Sequence, residues 1–343
     1  MMAKHRNALS QFAWAPSKSK QSYCSLAFAL VLSLPVPALA QSSNTQLPLI
    51  GLLAWYPCDP IDENSAFRNG LRDLGYKPGE NVSIECRSAN RQYDQLPVAA
   101  AELAGLEVDV IVSFSEPVAR AASKATAKIP IVSIFSGDPV ASGMARSLSQ
   151  PGGNVTGVSY YATELTGKRL DLLNEAMPEL KTVEVLANPA VSYLPFEEDT
   201  KQAADKLGLA VRIHNISKPS DLDSAFSTMS DNNAQAVFVL PDLMLAGEAS
   251  RIATLALEHK LPTMAWGFWF VNLGCLMAYS TWYPDHDYRL AYYVDRVLKG
   301  ARPGDLPIEQ PTKYILSINL KTAAALGLEL PQTLLLSADN FIE

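Results

Sequence analysis

Short apolar runs alternate with amphipathic stretches along most of the chain. The first half contains four strand candidates, "LPLIGLLAWY", "NVSIECR", "VDVIVSF" and "IPIVSIF". Between them lie three helix candidates, "PIDENSAFRNGLRDLGY", "YDQLPVAAAELAGL" and "EPVARAASKAT". In the first helix we expect Asp59 to cap the N-terminus and Pro60 to take the first helical position. Strands that alternate with helices of this length are typical of βαβ units and parallel sheets.

The same alternation returns in the second half, after "PGGNVTG", which we interpret as a loop because its glycine spacing does not fit a dinucleotide-binding turn. The strand candidates here are "TVEVLAN", "LAVRIHNI", "QAVFVL" and "LPTMAW". A late helix, "YRLAYYVDRVLKG", places Leu290, Tyr293, Val294 and Val297 on one face. Two runs of this kind predict an α/β protein with two doubly wound, Rossmann-like lobes.

The first forty residues have the pattern of a secretory signal peptide. Four cations and no acid accompany the apolar run "CSLAFALVLSLPVPALA", whose last residues fit the small-residue cleavage rule. We therefore expect cleavage after Ala40 and export to the periplasm. A membrane anchor is the alternative, but the apolar run is short for a span and contains Pro35 and Pro37.

The charge of the chain argues against nucleic acid as a partner. The formal net charge of the 343 residues is -7, and loss of the four leader cations would take it to about -11. Phosphate binding needs a basic face, which this composition does not predict. We expect a monomer.

The sequence lacks the common catalytic and metal-binding motifs. Gly167-Lys168 has no glycine at the position that a phosphate-binding loop requires, and no Gly-x-Ser-x-Gly elbow is present. No Cys-x-x-Cys or histidine-rich pair predicts a metal site, and we interpret Asp285-His286-Asp287 as a solvated loop at a helix start. No catalytic residue, cofactor or metal is therefore expected.

Residues suited to binding a small molecule cluster near the predicted strand tips. In open α/β sheets, ligands bind beyond the carboxyl ends of the strands. The candidate ligand-binding residues are Tyr56, Asp59, Phe114, Ser115, Glu116, Ser136, Asp138, Asn188, Asp242, Trp266, Phe268 and Tyr279.

Three kinds of contact are expected among these candidates. Ser115 and Glu116 open a helix whose free N–H groups can hold an anion such as a carboxylate. Asp138, between Gly137 and Pro139, can pair with a ligand ammonium. Aromatic side chains can clamp an apolar group. Structural roles remain open: Ser115 as a helix cap, Phe114 as a core residue and Asp138 as the cap of a short helix.

Two of the cysteines that follow the leader are candidates for a disulfide. Cys58 follows the first strand and Cys86 lies near the end of the second, so neighbouring strands would place both at one end of the sheet. Two free buried thiols are the alternative. Cys275 lies in apolar "LGCLMAY" and is expected to stay reduced.

Several longer stretches resemble the ABC-transporter solute-binding family that includes tryptophan- and tyrosine-type binding proteins. The resemblance covers nearly all of the chain after the leader. It is carried by "GLRDLGYKPGENVSIECR", "AAELAGLEVDVIV", "IPIVSIFSGDPVASGMARSLSQPGGNVTGVS", "TGKRLDLLNEAMPEL", "LPTMAWGFWFVNLGCLMAYS" and "DRVLKGARPGDLPIEQPTKYILSINLKTAAALGLELP". The family pattern includes Gly137-Asp138-Pro139, Asn188-Pro189 and Asp242. "AWYPCDPIDE" and "AWGFWF" depart from it.

This resemblance implies a type I periplasmic-binding fold, in which two lobes joined by a multi-strand hinge close on a ligand. The first lobe would comprise residues 47–160 and 286–312, and the second residues 161–285 and 313–343. The implied partners are a small ligand that is amino-acid-like, aromatic or a carboxylate, and an ABC permease with its ATPase. A sensory protein of the same fold is the runner-up. A secreted enzyme on this scaffold would need a catalytic set that the sequence does not provide.

Overall fold

The structure is a computed structural model that describes residues 47–58, 65–160 and 165–343, without the side chains of residues 283 and 284. The predicted signal peptide and Asp59 lie outside the described residues.

The first sheet has five parallel strands in the order β2-β1-β3-β4-β5. Its strands are β1 Leu49–Ala54, β2 Ser83–Ser88, β3 Val110–Ser113, β4 Ile131–Phe135 and β5 Val155–Ser159. The connecting helices are α1 Ala66–Asp73, α2 Leu96–Gly105 and α3 Glu116–Ala125, with a 3-10 turn at Tyr93–Gln95. The residues of β3, β4 and β5 are buried throughout, as expected for a parallel sheet covered on both faces.

The second sheet has the order β12-β11-β10-β9-β8-β6-β7. Its strands are β6 Thr182–Ala187, β7 Ala210–Asn215, β8 Ala236–Val239, β9 Thr263–Ala265, β10 Met277–Thr281, β11 Tyr314–Asn319 and β12 Asn340–Ile342. The later helices are α4 Leu165–Ala176, α5 Phe196–Leu207, α6 Asp221–Asp231, α7 Leu243–Gly247, α8 Ala249–Glu258, α9 Phe268–Asn272, α10 Tyr283–Leu298, α11 Leu320–Ala325 and α12 Gln332–Ser337. Strands β6 to β10 repeat the order of the first sheet, and β11 is antiparallel to β10. The prediction of two doubly wound lobes is confirmed.

Helix α10 returns from the second sheet to the first. It packs against α1 and against β3, β4 and β5. The predicted face of Leu290, Tyr293, Val294 and Val297 is buried there. The two helices approach so closely that a Cβ added to Gly70 would lie 2.8 Å from Ala291 Cβ. The chain then joins the second sheet again through β11, so several segments cross between the lobes. The lobe boundaries named above stay predictions.

One segment that the sequence analysis interpreted as a loop contains a strand. Val155–Ser159 forms β5 beside β4, and the flanking glycines concealed its apolar residues. Gly157 has φ +143°, and a Cβ there would lie 1.8 Å from Ser133 O. Only glycine allows β5 to approach β4 this closely.

The first helix begins later than predicted. It starts at Ala66, and Ser65 caps it by accepting a hydrogen bond from Arg68 N at 3.4 Å. Phe67, Gly70 and Leu71 form its buried face. Ser65 therefore caps the described helix, and the predicted cap at Asp59 lies outside the described residues.

Cys58 and Cys86 form a disulfide in the structure, with their Cα atoms 6.0 Å apart. Strand β1 pairs with β2 so that Leu52 lies opposite Cys86, and the loop after β1 brings Cys58 back to it. Cys275 is a free, buried cysteine. None of the described helices is long and apolar enough to span a bilayer.

Candidate functional site

The loops at the carboxyl ends of both sheets line a narrow, partly open cavity of about 20 Å³. Its first-lobe lining follows β3, β4 and β5, and its second-lobe lining follows β6, β8 and β9. The lining residues are Ser115, Pro117, Ser136, Tyr160, Val191, Leu194, Pro241, Asp242, Leu243 and Trp266. This is the position at which open α/β sheets bind their ligands.

The first-lobe wall is the N-terminus of α3. Ser115 is the N-cap residue, with Pro117 in the first turn, but the serine side chain makes no capping hydrogen bond. Ser115 Oγ is buried and has no hydrogen-bond partner among the described residues. A buried hydroxyl without a partner is costly, and the N–H groups of a helix start attract anions. This wall is therefore suited to a carboxylate.

Glu116 supports the neighbouring loop and does not line the cavity. Its side chain is fully buried, and Oε2 accepts a hydrogen bond from Gly137 N at 2.9 Å. The Arg120 guanidinium lies 3.8 Å from Oε1. Burial raises the pKa of Glu116, although the Gly137 N–H and Arg120 act in the opposite direction. The carboxylate fixes the turn that carries Ser136 into the cavity.

The second-lobe wall contains one buried acid, Asp242, which caps α7. Its Oδ1 accepts from Leu245 N at 2.8 Å. Its Oδ2 accepts from Tyr93 OH at 2.5 Å and from Asn188 Nδ2 at 3.0 Å. Burial raises the pKa of Asp242, whereas these three donors lower it. The Met244 N–H also lowers this pKa. The carboxylate at this wall can attract a positively charged ligand group.

Aromatic rings close one side of the cavity. Trp266 and Tyr160 stack with ring centroids 6.4 Å apart, and Tyr160 stacks on His286 at 6.2 Å. Arg169, fully buried in α4, donates from Nη2 to Trp266 O at 3.4 Å and from Nε to Tyr279 O at 2.8 Å. This arginine holds the strand ends that carry the Trp266 ring.

Some of the predicted residues lie together, and others do not. Ser115, Ser136, Asp242 and Trp266 line the cavity. Asn188 is behind it and orients Asp242. The remaining described candidates, Tyr56, Phe114, Glu116, Asp138, Phe268 and Tyr279, are not among the lining residues.

The aromatic candidates outside the cavity pack on other rings. Phe114 lies edge-on to Phe67, with ring centroids 5.6 Å apart. Phe268 stacks on Trp282 at 5.0 Å. Tyr279 stacks on Tyr314 at 6.0 Å. Phe114 follows β3 and Phe268 begins α9, whereas Tyr279 lies within β10, and none of the three lines the cavity.

Asp138 lies in a separate groove formed with α4 and α5. Its Oδ1 accepts a hydrogen bond from Val140 N at 2.7 Å, so the carboxylate stabilises its own turn. No helix follows this turn before β5. Of the structural roles left open for Asp138, the structure thus shows the cap of a turn in place of the cap of a helix, and the expected ammonium contact stays a prediction.

Sequence reasoning missed Tyr160 and Tyr93. Tyr160 follows β5, the strand that was interpreted as a loop, and would have been found if that strand had been recognised. Tyr93 lies in the 3-10 turn before α2, away from any strand tip. No local sequence signal connects it to Asp242, which is 149 residues away.

The described residues contain no group of three or more His, Cys, Asp or Glu side chains that could hold a metal ion. One wall of the cavity instead presents the Ser115 hydroxyl and the start of α3, and the other presents the Asp242 carboxylate. Apolar and aromatic side chains lie between them. This arrangement can hold a zwitterion.

Comparison with known proteins shows which protein family this chain resembles. Residues 60–342 match a family model described as ABC transporter substrate binding protein. A tyrosine-binding protein of Clostridioides difficile (strain R20291) is 30% identical over 275 residues, which are 80% of this chain and 77% of that protein.

Two solved structures share the fold. An ABC domain from Streptococcus pneumonia in complex with L-Trp has a TM-score of 0.77 and 24% identity, covering 87% of this chain and 100% of that one. The ligand-free, open structure of a substrate binding protein with adhesive properties from Clostridium difficile has a TM-score of 0.61 and 26% identity, covering 87% and 99%. With the two-lobed fold of type I periplasmic binding proteins and a family match over most of its length, the chain belongs to the ABC transporter substrate binding proteins.

Proposed function

We propose that this protein binds an α-amino acid with an apolar or aromatic side chain between the two walls of this cavity, which separate to admit the ligand, and presents it to an ABC permease. The observation that carries the proposal is the pairing of the α3 N-terminus with Asp242 on opposite walls. The α3 N–H groups and Ser115 Oγ take the ligand carboxylate. Asp242 takes the ammonium by pairing its carboxylate with the positive charge.

The apolar lining gives the side-chain preference. Trp266 and Tyr160 offer ring surfaces, and Val191, Leu194 and Leu243 surround them. Such a lining favours an apolar or aromatic group by area burial and ring contact. The name of the tyrosine-binding relative and the L-Trp of the similar structure support this class.

The wider role follows from the family. We propose that the chain is exported, that it acts as a monomer, and that it delivers its ligand to the permease and ATPase without transforming it. The acidic net charge argues against a role in binding nucleic acid.

A thermal-shift and calorimetric panel tests the ligand class. The compounds are L-tryptophan, L-tyrosine and L-leucine, each beside its analogue without the amino group and its analogue without the carboxyl group. An amino acid at 100 times its dissociation constant should stabilise the protein by about 2.7 kcal/mol. Both analogues should bind far more weakly.

Two results would count against the proposal. If none of the amino acids stabilises the protein, the amino-acid class is wrong. If the deaminated analogues bind as tightly as the amino acids, the ammonium contact with Asp242 is wrong while the carboxylate contact can stand. Chemical change of the bound ligand, detected by mass spectrometry, would favour an enzyme.

A further inference from the structure

Two tyrosines of the first lobe reach across the cleft to the second lobe. Tyr93 OH donates to Asp242 Oδ2 at 2.5 Å and accepts from Leu243 N at 3.4 Å. Tyr56 OH donates to Leu243 O at 3.4 Å. We call Tyr56 and Tyr93 the tyrosine clasp. Both side chains meet the short segment that follows β8 and begins α7.

The clasp is held firmly by its own lobe. The Trp55 ring lies 4.2 Å from the Tyr93 ring, and the Arg91 guanidinium lies 5.1 Å from the Tyr56 ring centroid. Arg91 N also donates to Trp55 O at 2.8 Å. These contacts fix both rings on one rigid base, so little side-chain entropy is lost when they meet the other lobe.

A disulfide anchors this base to the first sheet. The Cys58–Cys86 bridge joins the loop that carries Tyr56 to β2. Ser88, at the end of β2, donates from Oγ to Tyr56 O at 2.7 Å. The clasp is thus a preformed feature of the first lobe that extends toward the second.

The hydrogen bond from Tyr93 to Asp242 can stabilise the closed arrangement of the lobes. Asp242 accepts from Asn188 and Leu245 of its own lobe but from Tyr93 of the other lobe. When the lobes separate, the buried carboxylate loses that donor, and only closure restores it. A hydrogen bond to a charged group is among the stronger ones in proteins.

We propose that Tyr93 is a positioning residue for ligand binding, which orients Asp242 toward the ligand and stabilises the closed lobes. This inference rests on the proposed function, because it assumes that the lobes close on a ligand held by Asp242. Tyr93 is not itself among the residues that line the cavity. Tyr93 therefore affects binding by orienting Asp242 and by holding the lobes together. Tyr56 adds a second hydrogen bond across the cleft, to the uncharged Leu243 carbonyl.

The test is Tyr93→Phe, with Tyr76→Phe as its matched control. Tyr76 OH also donates to a carboxylate, Asp295 Oδ1 at 3.0 Å, but that bond joins the loop after α1 to α10 and does not cross the cleft. Both variants lose one hydroxyl–carboxylate hydrogen bond. Only Tyr93→Phe should alter closure.

Two measurements separate the variants. The dissociation constants for L-tryptophan and L-tyrosine should rise about 10- to 100-fold in Tyr93→Phe, mainly through a faster off-rate, and stay within about twofold in Tyr76→Phe. Small-angle X-ray scattering without added ligand should give a larger radius of gyration for Tyr93→Phe than for the wild type and Tyr76→Phe.

The inference fails if Tyr93→Phe has the wild-type radius of gyration and wild-type affinity. It also fails if Tyr93→Phe binds more tightly, since Tyr93 would then compete with the ligand for Asp242. Failure of the wild type to bind either amino acid would refute the proposed ligand class instead. The scattering comparison would still decide whether Tyr93 holds the lobes closed.

Discussion

At the scale of single residues, Asp242 has the environment expected of a ligand-binding carboxylate. It is buried, it lines the cavity, and hydrogen bonds from Tyr93, Asn188 and Leu245 orient it. Asp138, which the sequence made the leading candidate, is bound to its own turn and lies in another groove. The difference depends on where each side chain is directed, since both acids follow buried strands.

Asp242→Asn should weaken binding of the amino-acid ligand by about 1.5–3 kcal/mol, the scale of a charge-assisted hydrogen bond. Asparagine is a good helix cap, so α7 should keep its start. Its amide nitrogen cannot accept from Tyr93 OH and Asn188 Nδ2, so the thermal midpoint should also fall. Calorimetric titration with L-tryptophan or L-tyrosine measures the effect.

Asp138→Asn is the control for this comparison. Asparagine can accept the same hydrogen bond from Val140 N, so we expect both the turn and the affinity to be preserved. A loss of affinity in Asp138→Asn that matched the loss in Asp242→Asn would restore Asp138 as the ammonium partner and contradict the present assignment.

At the scale of elements, the first turn of α10 holds two neighbouring groups with opposite pH responses. Burial raises the pKa of Asp287 to about 7. Burial also lowers the pKa of His286 to about 4, with Asp285 acting against it. Both groups therefore bind protons differently in the folded and unfolded chain across the same pH range.

The signs follow from proton linkage. Between about pH 4 and pH 7 the folded chain keeps a proton on Asp287 that the unfolded chain has released, so this residue lowers the free energy of unfolding as pH rises. Below about pH 6.5 the unfolded chain binds a proton at His286 that the folded chain does not. His286 therefore lowers the free energy of unfolding as pH falls, and the two effects offset each other.

Asp287→Asn should remove the effect of Asp287 on the pH dependence of stability and leave that of His286. Its free energy of unfolding should rise more steeply than that of the wild type between pH 4 and pH 7. At pH 8 the variant should be more stable by about 1–3 kcal/mol, discounted because Asp287 is partly exposed. Urea denaturation at pH 4, 6 and 8 measures this. Parallel stability curves for the two proteins would show that Asp287 does not hold a proton in the folded state.

At the scale of the whole molecule, the two lobes share the strand order of a doubly wound sheet, and their carboxyl ends meet at one cavity. Several crossings join them, including α10, which packs on the first sheet, and β11, which extends the second. This connectivity allows the lobes to change their angle while each sheet stays intact.

The proposal of an exported binding protein predicts a mature N-terminus at Gln41. Intact-mass spectrometry of the protein recovered from the periplasm would detect the loss of residues 1–40. Cleavage after Ala40 also removes four cations, so the mature chain should migrate as a more acidic species in isoelectric focusing. Recovery of the exported protein with the leader attached would contradict the cleavage prediction.

The sequence by itself determined the architecture and four of the ten residues that line the cavity. Hydrophobic periodicity is a local property, so it predicted most strands and helices of both lobes. The rule for parallel sheets placed Ser115, Ser136, Asp242 and Trp266 at strand ends, where they line the cavity. It failed at β5, because Gly157 serves a close strand approach that no local pattern reveals.

Only the tertiary structure decided which strand-tip side chains face the cavity. Phe114 and Phe268 have the right sequence positions but pack on other rings. Tyr93 does not follow a strand, so its place in the sequence does not indicate a binding role, yet its hydroxyl donates to Asp242 across the cleft. Contacts of this kind depend on how two lobes pack, and that packing is set by many distant residues together, which is why periodicity and spacing could not predict them.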